Sequence, residues 1–236
     1  MPSVEFLDVR EWRSSLRSVD AVEHDGDVAK DMRLTWPTFD IQVPVKLHEV
    51  NVTKYLKSTS EVYDIYNLDF YGGFLNETKS GASNTADAIR ALIYREGESQ
   101  HSFVLITTFN IRENAQNEYD RFLTELPKVL HGWKNVKANC DFHKTKTYLK
   151  TKIGFCYFCS DVGRTQKFDT SFCPIYLYNS GSTMLLHFFC EFLFKEAAIP
   201  TMQDPAKLAE IANMPLYVMN GQVPVKKFVP PEIHLT

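Results

Sequence analysis

Stretches of strand character and stretches of helix character take turns through the first two thirds of the chain, and this alternation limits the fold more than any other feature. Parallel strands need long crossovers, usually helical, so the pattern points to a mostly parallel sheet. Its surest element is the run at 102–108, Ser-Phe-Val-Leu-Ile-Thr-Thr, whose apolar centre suits a strand covered on both faces. Before it, Ile89, Leu92 and Ile93 mark the inner side of a helix over 86–95, capped by Asn84 or Thr85 and closed by Gly97. Further upstream the chain reads as a helix over 3–17, a strand over 19–23, a helix over 27–34, an extended piece at 39–43, a strand over 45–50, a short helix over 51–56 and a strand over 62–68. Downstream, an amphipathic helix is expected over 113–126. Two paired strands are expected at 151–161 and 172–178, a buried helix over 180–198, a short helix over 205–214 and an extended piece at 216–218. The expectation is an α/β fold: a mostly parallel sheet with helices on both faces and an antiparallel strand pair near the C-terminal third. The main domain would span 1–200, with a C-terminal helix and extended tail over 201–236.

Composition removes several classes. With 44% hydrophobic and 23% charged residues, 10 glycines and 11 prolines in 236, the chain is neither disordered nor collagen-like. A net charge of −3 means that any nucleic-acid contact must come from a local patch. Five cysteines is an odd count, and four sit in or beside apolar runs, which suits free thiols in a reducing compartment. The N-terminus lacks the pattern of a secretory signal, and the longest apolar run, 184–194, is about half a membrane span and is interrupted by His187 and Glu191. A soluble cytoplasmic protein is expected, with its oligomeric state open.

The chemistry-bearing residues come in a fixed order. Glu23 closes the strand at 19–23 and Asp25 follows it. Asn51 follows the strand at 45–50. Asn67, Asp69, Phe70 and Tyr71, with Gly72 and Gly73, end the strand at 62–68. In open α/β sheets ligands bind beyond the carboxyl ends of the strands. There an acid can accept from ribose hydroxyls, and an aromatic loop can meet a substrate base. Each residue also has a local reading: Glu23 and Asp25 as turn acids, Asn51 as a helix cap.

This succession resembles the motifs of class I S-adenosylmethionine-dependent methyltransferases, which have a Rossmann-like seven-stranded sheet. The segment Val19-Asp-Ala-Val-Glu-His-Asp25 is similar to the family's acidic second-strand end. His48-Glu-Val-Asn-Val-Thr-Lys-Tyr-Leu56 is similar to its adenine-side segment, and Tyr63-Asp-Ile-Tyr-Asn-Leu-Asp-Phe-Tyr-Gly-Gly73 to its fourth-strand motif. The resemblance implies S-adenosylmethionine as cofactor, held by Glu23, Asp25 and Asn51, and methyl transfer to a base amine of RNA or DNA. Asn67 and Asp69 would hold the amine, and Phe70 or Tyr71 would stack on the base. The family's glycine-rich loop after the first strand has no counterpart: the chain starts at Met1-Pro-Ser3, about where that loop would end. A second reading therefore stands beside the enzyme: a non-catalytic module of the same fold that binds nucleic acid or a protein assembly.

Residues 128–152 hold Lys134, Lys137, Lys144, Lys146 and Lys150 among seven lysines, with Asp141 the single acid and Trp133, Phe142 and Tyr148 interleaved. Lysines neutralise phosphates and aromatics stack on bases, so the stretch is the nucleic-acid candidate; the other reading is a solvated face. Cys140, His143, Cys156 and Cys159 have a spacing that zinc sites use. The strand character around Cys156 and Cys159 argues against it, because residues three apart on a strand face opposite ways. No metal is expected, and His187 reads as a core histidine of an apolar helix.

Overall fold

A computed structural model describes residues 16–38, 43–70, 72–74, 85–111, 147–173, 175–180, 183–197, 214–220 and 223–228. The helices expected over 3–17 and 113–126, nearly all of that at 205–214, and the tail from 229 lie outside these residues, as does the 200/201 domain boundary. Contacts divide the chain into two compact units, Met1–Thr59 and Ser60–Thr236.

The first unit is one parallel β-α-β crossover followed by a short helix: β1 (Val19–Glu23), α1 (Gly26–Thr35), a 3-10 turn (Trp36–Thr38), β2 (Val45–Glu49) and α2 (Val52–Ser58). β1 and β2 pair in parallel from Val19 opposite Val45 to Glu23 opposite Glu49. Side chains start both helices. The Asp25 carboxylate accepts from the N–H groups of Asp27 and Val28, and Asn51 accepts from that of Thr53, so orphan donors of each first turn are satisfied. The ring of Tyr55 on α2 lies 4.6 Å from that of His48 on β2. The Tyr55 hydroxyl is 3.4 Å from Asp20 on β1, which ties this helix to both strands.

The second unit comprises β3 (Ile65–Phe70), α3 (Thr85–Glu98), β4 (Phe103–Ile111), α4 (Thr147–Thr165), β5 (Phe168–Phe172), β6 (Ile175–Ser180), β7 (Thr183–Phe194), β8 (Leu216–Asn220) and β9 (Val223–Phe228). Its seven-stranded sheet runs β3-β4-β7-β6-β8-β9, with β5 also against β7. β3/β4 and β6/β8 are parallel; the pairs that β7 makes with β4, β5 and β6, and β8/β9, are antiparallel. The fold is thus mixed α/β, and this sheet is mixed rather than mostly parallel. Helices on both faces were expected; α3 and α4 lie on the same one. Glu96 of α3 meets Tyr66 of β3, and Phe155 of α4 meets Phe109 of β4 and Phe188 of β7. Register places Tyr66, Phe109 and Phe188 on one side of the sheet.

Two elements exchange identity relative to the sequence reading. Residues 151–161 are not a strand but the middle of α4, and residues 183–194 are not a helix but the twelve-residue strand β7. α4 is buried on every side from 151 to 163, so it has no polar stripe from which a helical period could be read. β7 begins opposite the end of β6, with Ser180 paired to Thr183, so 183 opens an antiparallel strand and not a helix. The expected antiparallel pair near 151–178 is replaced by β5 and β6 against β7. α4 approaches β5 closely at Gly163: a Cβ there would stand 2.6 Å from Thr170 Oγ1 and 3.2 Å from the Phe192 ring. Gly163→Ala is expected to lower stability by about 1–3 kcal/mol through overpacking, read as a lower urea midpoint.

Candidate functional site

The carboxyl ends of β1 and β2 carry the first group of expected residues. Glu23 is half-buried, and its Oε1 accepts the Asp25 N–H at 2.8 Å and lies 3.1 Å from His24 Nδ1. Asp25 caps α1 at 3.0 Å from the Asp27 nitrogen, and Asn51 caps α2 at 2.9 Å from that of Thr53. The local readings of all three residues therefore hold. They do not use up a carboxylate, which has room for about four acceptor contacts. The groove of about 420 Å³ in this unit is lined by Arg33, Trp36, Pro37, Val43, Val45 and Leu47, and none of the three expected cofactor residues lines it.

β3 carries the second group, and its pleat sorts them. Asn67 and Asp69 are exposed, on one face. Phe70 is turned to the other, where it is buried and stacks on Phe109 at 5.7 Å between ring centres. Phe70 is a core residue, which corrects the expectation that it stacks on a base. Successive strand residues alternate faces, so Asp69 and Phe70 cannot serve one ligand from the same side. Tyr71 lies outside the described residues.

The register across the sheet sets a polar row beside Asp69. Asp69 stands opposite Thr108 of β4, and Thr108 opposite His187 of β7. Next, His187 stands opposite Tyr176 of β6, and Tyr178 follows two residues on, on the same face. Thr108 Oγ1 lies 2.9 Å from His187 Nδ1, and the Thr108 hydroxyl is near enough to the Tyr178 phenol to lower its pKa. Burial lowers the His187 pKa, and the charge of Asp69 works in the opposite direction. Burial raises the Tyr178 hydroxyl; Thr108 opposes this and Asp69 adds to it. Three groups able to pass protons thus share one face, beside an exposed carboxylate. Sequence reading missed Thr108, His187 and Tyr178. Its only available signal was the period-two alternation of His187 and Glu191 with Leu186, Phe188, Cys190 and Phe192, masked by the apolar Leu185 and Phe189 between them.

The remaining expectations separate in the same way. Cys156 and Cys159 lie on α4, buried, with free thiols, together with Cys190 of β7. On a helix residues three apart share a face, so the strand argument against a shared site does not apply here. Still, no cluster among the described residues is arranged to hold a metal ion. Cys140 and His143 lie outside them. So do Lys134, Lys137, Lys144 and Lys146; Lys150 has its backbone in α4, and its side chain is outside the description. Lys152, from the same stretch, is fully buried, and its Nζ donates to the Met214 carbonyl at 2.6 Å. No described helix is long and apolar enough to cross a membrane.

A scan of protein-family models finds no match to the chain, and a search of curated proteins finds none either.

Proposed function

We propose that this chain is a Rossmann-like protein of the class I methyltransferase type, using S-adenosylmethionine to methylate a base amine of a nucleic acid. The strand pairing is the observation that carries this reading. A Rossmann sheet has strand order 3-2-1-4-5-6. Its 2-3 and 4-5 neighbours are parallel pairs, and each unit here supplies one parallel pair, β1-β2 in the first and β3-β4 in the second. The antiparallel hairpin β6-β7 beyond β4 fits the family's sixth and seventh strands. An acid stands at the carboxyl end of the first strand of each pair, Glu23 and Asp69.

The donor set suits the nucleoside end of the cofactor. Glu23 offers a half-buried carboxylate for ribose hydroxyls, and Asn51 a polar group on the adenine side. For the methionine end, no glycine-rich turn occurs among the described residues. The bound cofactor would supply an activated methyl group. Asn67 and Asp69 orient the amine and accept from its N–H bonds, which raises the electron density on nitrogen. Calorimetry tests the reading: micromolar binding of S-adenosylmethionine or S-adenosylhomocysteine that Glu23→Ala weakens about 10–100-fold supports it. Absence of heat up to millimolar ligand overturns it.

The lysine-rich stretch favours a second reading, a non-catalytic module that binds nucleic acid through the lysines of 128–152. Reversing charge at Lys144, Lys146 and Lys150 should then lower affinity for RNA or DNA and flatten its salt dependence by about one unit per lysine. An unchanged salt slope removes that reading.

A further inference from the structure

We propose that His187 is the proton acceptor of the site at the carboxyl end of β3 and β4, with Thr108 and Tyr178 as positioning residues. The inference rests on the methyl-transfer reading and deepens it.

A histidine on a central strand can be a mere cross-strand staple, and here the first contact looks like one: Nδ1 is 2.9 Å from Thr108 Oγ1. Three observations go beyond a staple. Thr108 is only 8% exposed, and its single hydroxyl is bonded to the imidazole on the face that also carries the Tyr178 phenol, which it influences. A hydroxyl has one proton and two lone pairs, so it can receive Nδ1–H while donating to the phenol oxygen, or pass both bonds the other way. In the first arrangement Nε2 is the unprotonated nitrogen, which is what a base needs. Next, His187 is half-buried rather than enclosed, so the ring is reachable from the face that bears Asp69. Finally, Asp69 stands opposite Thr108 in register, on the same side of the sheet. The groups that face His187 are thus Thr108 from β4, Asp69 from β3, and Tyr176 and Tyr178 from β6.

The chemistry follows from this row. A neutral amine that gains a methyl group becomes cationic and must lose a proton. Its lone pair forms the new N–C bond, and the electron pair of the broken methyl–sulfur bond stays on sulfur. The surplus N–H proton passes to His187 Nε2. The resulting imidazolium is balanced by the Asp69 carboxylate, keeps its Nδ1–H on Thr108 Oγ1, and gives the Nε2 proton up to solvent, which restores the starting tautomer. The net products are the methylated amine, the neutral thioether and one proton released to solvent.

Two measurements on the full chain test this. The first is methyl transfer from tritiated S-adenosylmethionine to RNA and to DNA, with calorimetry of cofactor binding alongside. His187→Ala should lower kcat by about 100-fold or more while cofactor affinity stays within twofold; His187→Asn serves as the second variant if alanine fails to fold. Thr108→Val and Tyr178→Phe should each lower kcat several-fold and displace the acidic limb of the kcat–pH profile. The second is NMR of histidine-labelled protein, in which Thr108→Val should shift the His187 ring nitrogens towards the other tautomer. Full turnover by His187→Ala in a preparation whose wild type is active overturns the inference and leaves the methyltransferase reading standing. Ring nitrogen shifts unmoved by Thr108→Val overturn it as well. A wild type that neither binds the cofactor nor transfers methyl groups removes the methyltransferase reading, and this assignment with it.

Discussion

Replacing Glu96 by alanine is expected to lower the stability of the fold by about 3–5 kcal/mol, read by urea denaturation at neutral pH. Glu96 is in the last turn of α3 and has no exposed surface. Its carboxylate accepts from the Tyr66 hydroxyl, from the Tyr63 N–H at 3.3 Å and from His101 Nδ1 at 2.8 Å. The outer side of that cluster is held too: His101 Nε2 lies 3.2 Å from Asp64 Oδ1, and Arg95 donates to the Tyr66 hydroxyl at 3.1 Å. One anion therefore joins the entry to β3 to the turn between α3 and β4. Removing it strands several donors and leaves a void, and breaking a buried charged network in this way costs about 3–5 kcal/mol. Because a domain is stable by only about 5–15 kcal/mol, much of the margin goes with it. Glu96→Gln keeps the shape but turns an NH2 towards donors, and should cost less, about 1–3 kcal/mol. A loss under about 1 kcal/mol for alanine would show that the network is ornamental.

Above pH 9 the protein should lose stability as pH rises, an effect led by its buried thiols and approaching about 1.4 kcal/mol per pH unit for each net proton held only in the folded state. Burial raises the pKa of Cys156, Cys159 and Cys190 above the ordinary 9.0. In the unfolded chain these thiols ionise near pH 9, whereas in the folded chain they keep their protons. The folded state then binds more protons, and each thiol subtracts about 1.4 kcal/mol per pH unit. Lys152 acts with the opposite sign. Burial holds it at about 8, against 10.5 in an exposed chain. Between these values the unfolded state carries the extra proton, so Lys152 returns about 1.4 kcal/mol per unit. Three thiols outweigh one amine, and near pH 10 the Tyr66, Tyr157 and Tyr178 hydroxyls, raised by burial, add to the loss, so the slope is negative. Well below pH 8 these four groups are protonated in both states and contribute no slope. Denaturation in reductant at pH 7.5, 8.5, 9.5 and 10.5 reads the effect, and Cys159→Ala should flatten the slope by one proton's worth. Stability constant or rising from pH 9 to 10.5 would contradict it.

What the sequence made legible follows from where water reaches. The elements read well either border solvent or have sharp capping residues, as α1, α3, β1 and β2 do, or, like β4, are short apolar runs too brief for a helix and buried on both faces. Asp25 marks the start of α1 and Asn51 that of α2, whereas α3 runs through Gly97, its expected end, to Glu98. The errors at 151–161 and 183–194 share one cause. α4 is surrounded, so its apolar residues carry no helical period, and Phe155, Tyr157 and Phe158 weighted the reading towards strand. β7 shows a period of two only through His187 and Glu191, because Leu185 and Phe189 on the same face hide it. A continuous apolar run does not tell helix from strand by periodicity. The candidate site was half legible for a related reason. Asp69 and Asn67 stood at an identifiable strand end, whereas Thr108, His187 and Tyr178 come together only through a register that pairs strands far apart in the chain.

The place of β7 in the sheet also bears on how the protein is made. β4 must find its antiparallel neighbour in a segment that leaves the ribosome long afterwards. At roughly 5–20 residues per second, the newborn chain presents Phe103 and Phe109 unmatched for several seconds. During that wait they are open to holdase chaperones and to sticking between nascent chains. Yield in a heterologous host should therefore respond to growth temperature and chaperone supply more than to the equilibrium strength of the finished fold.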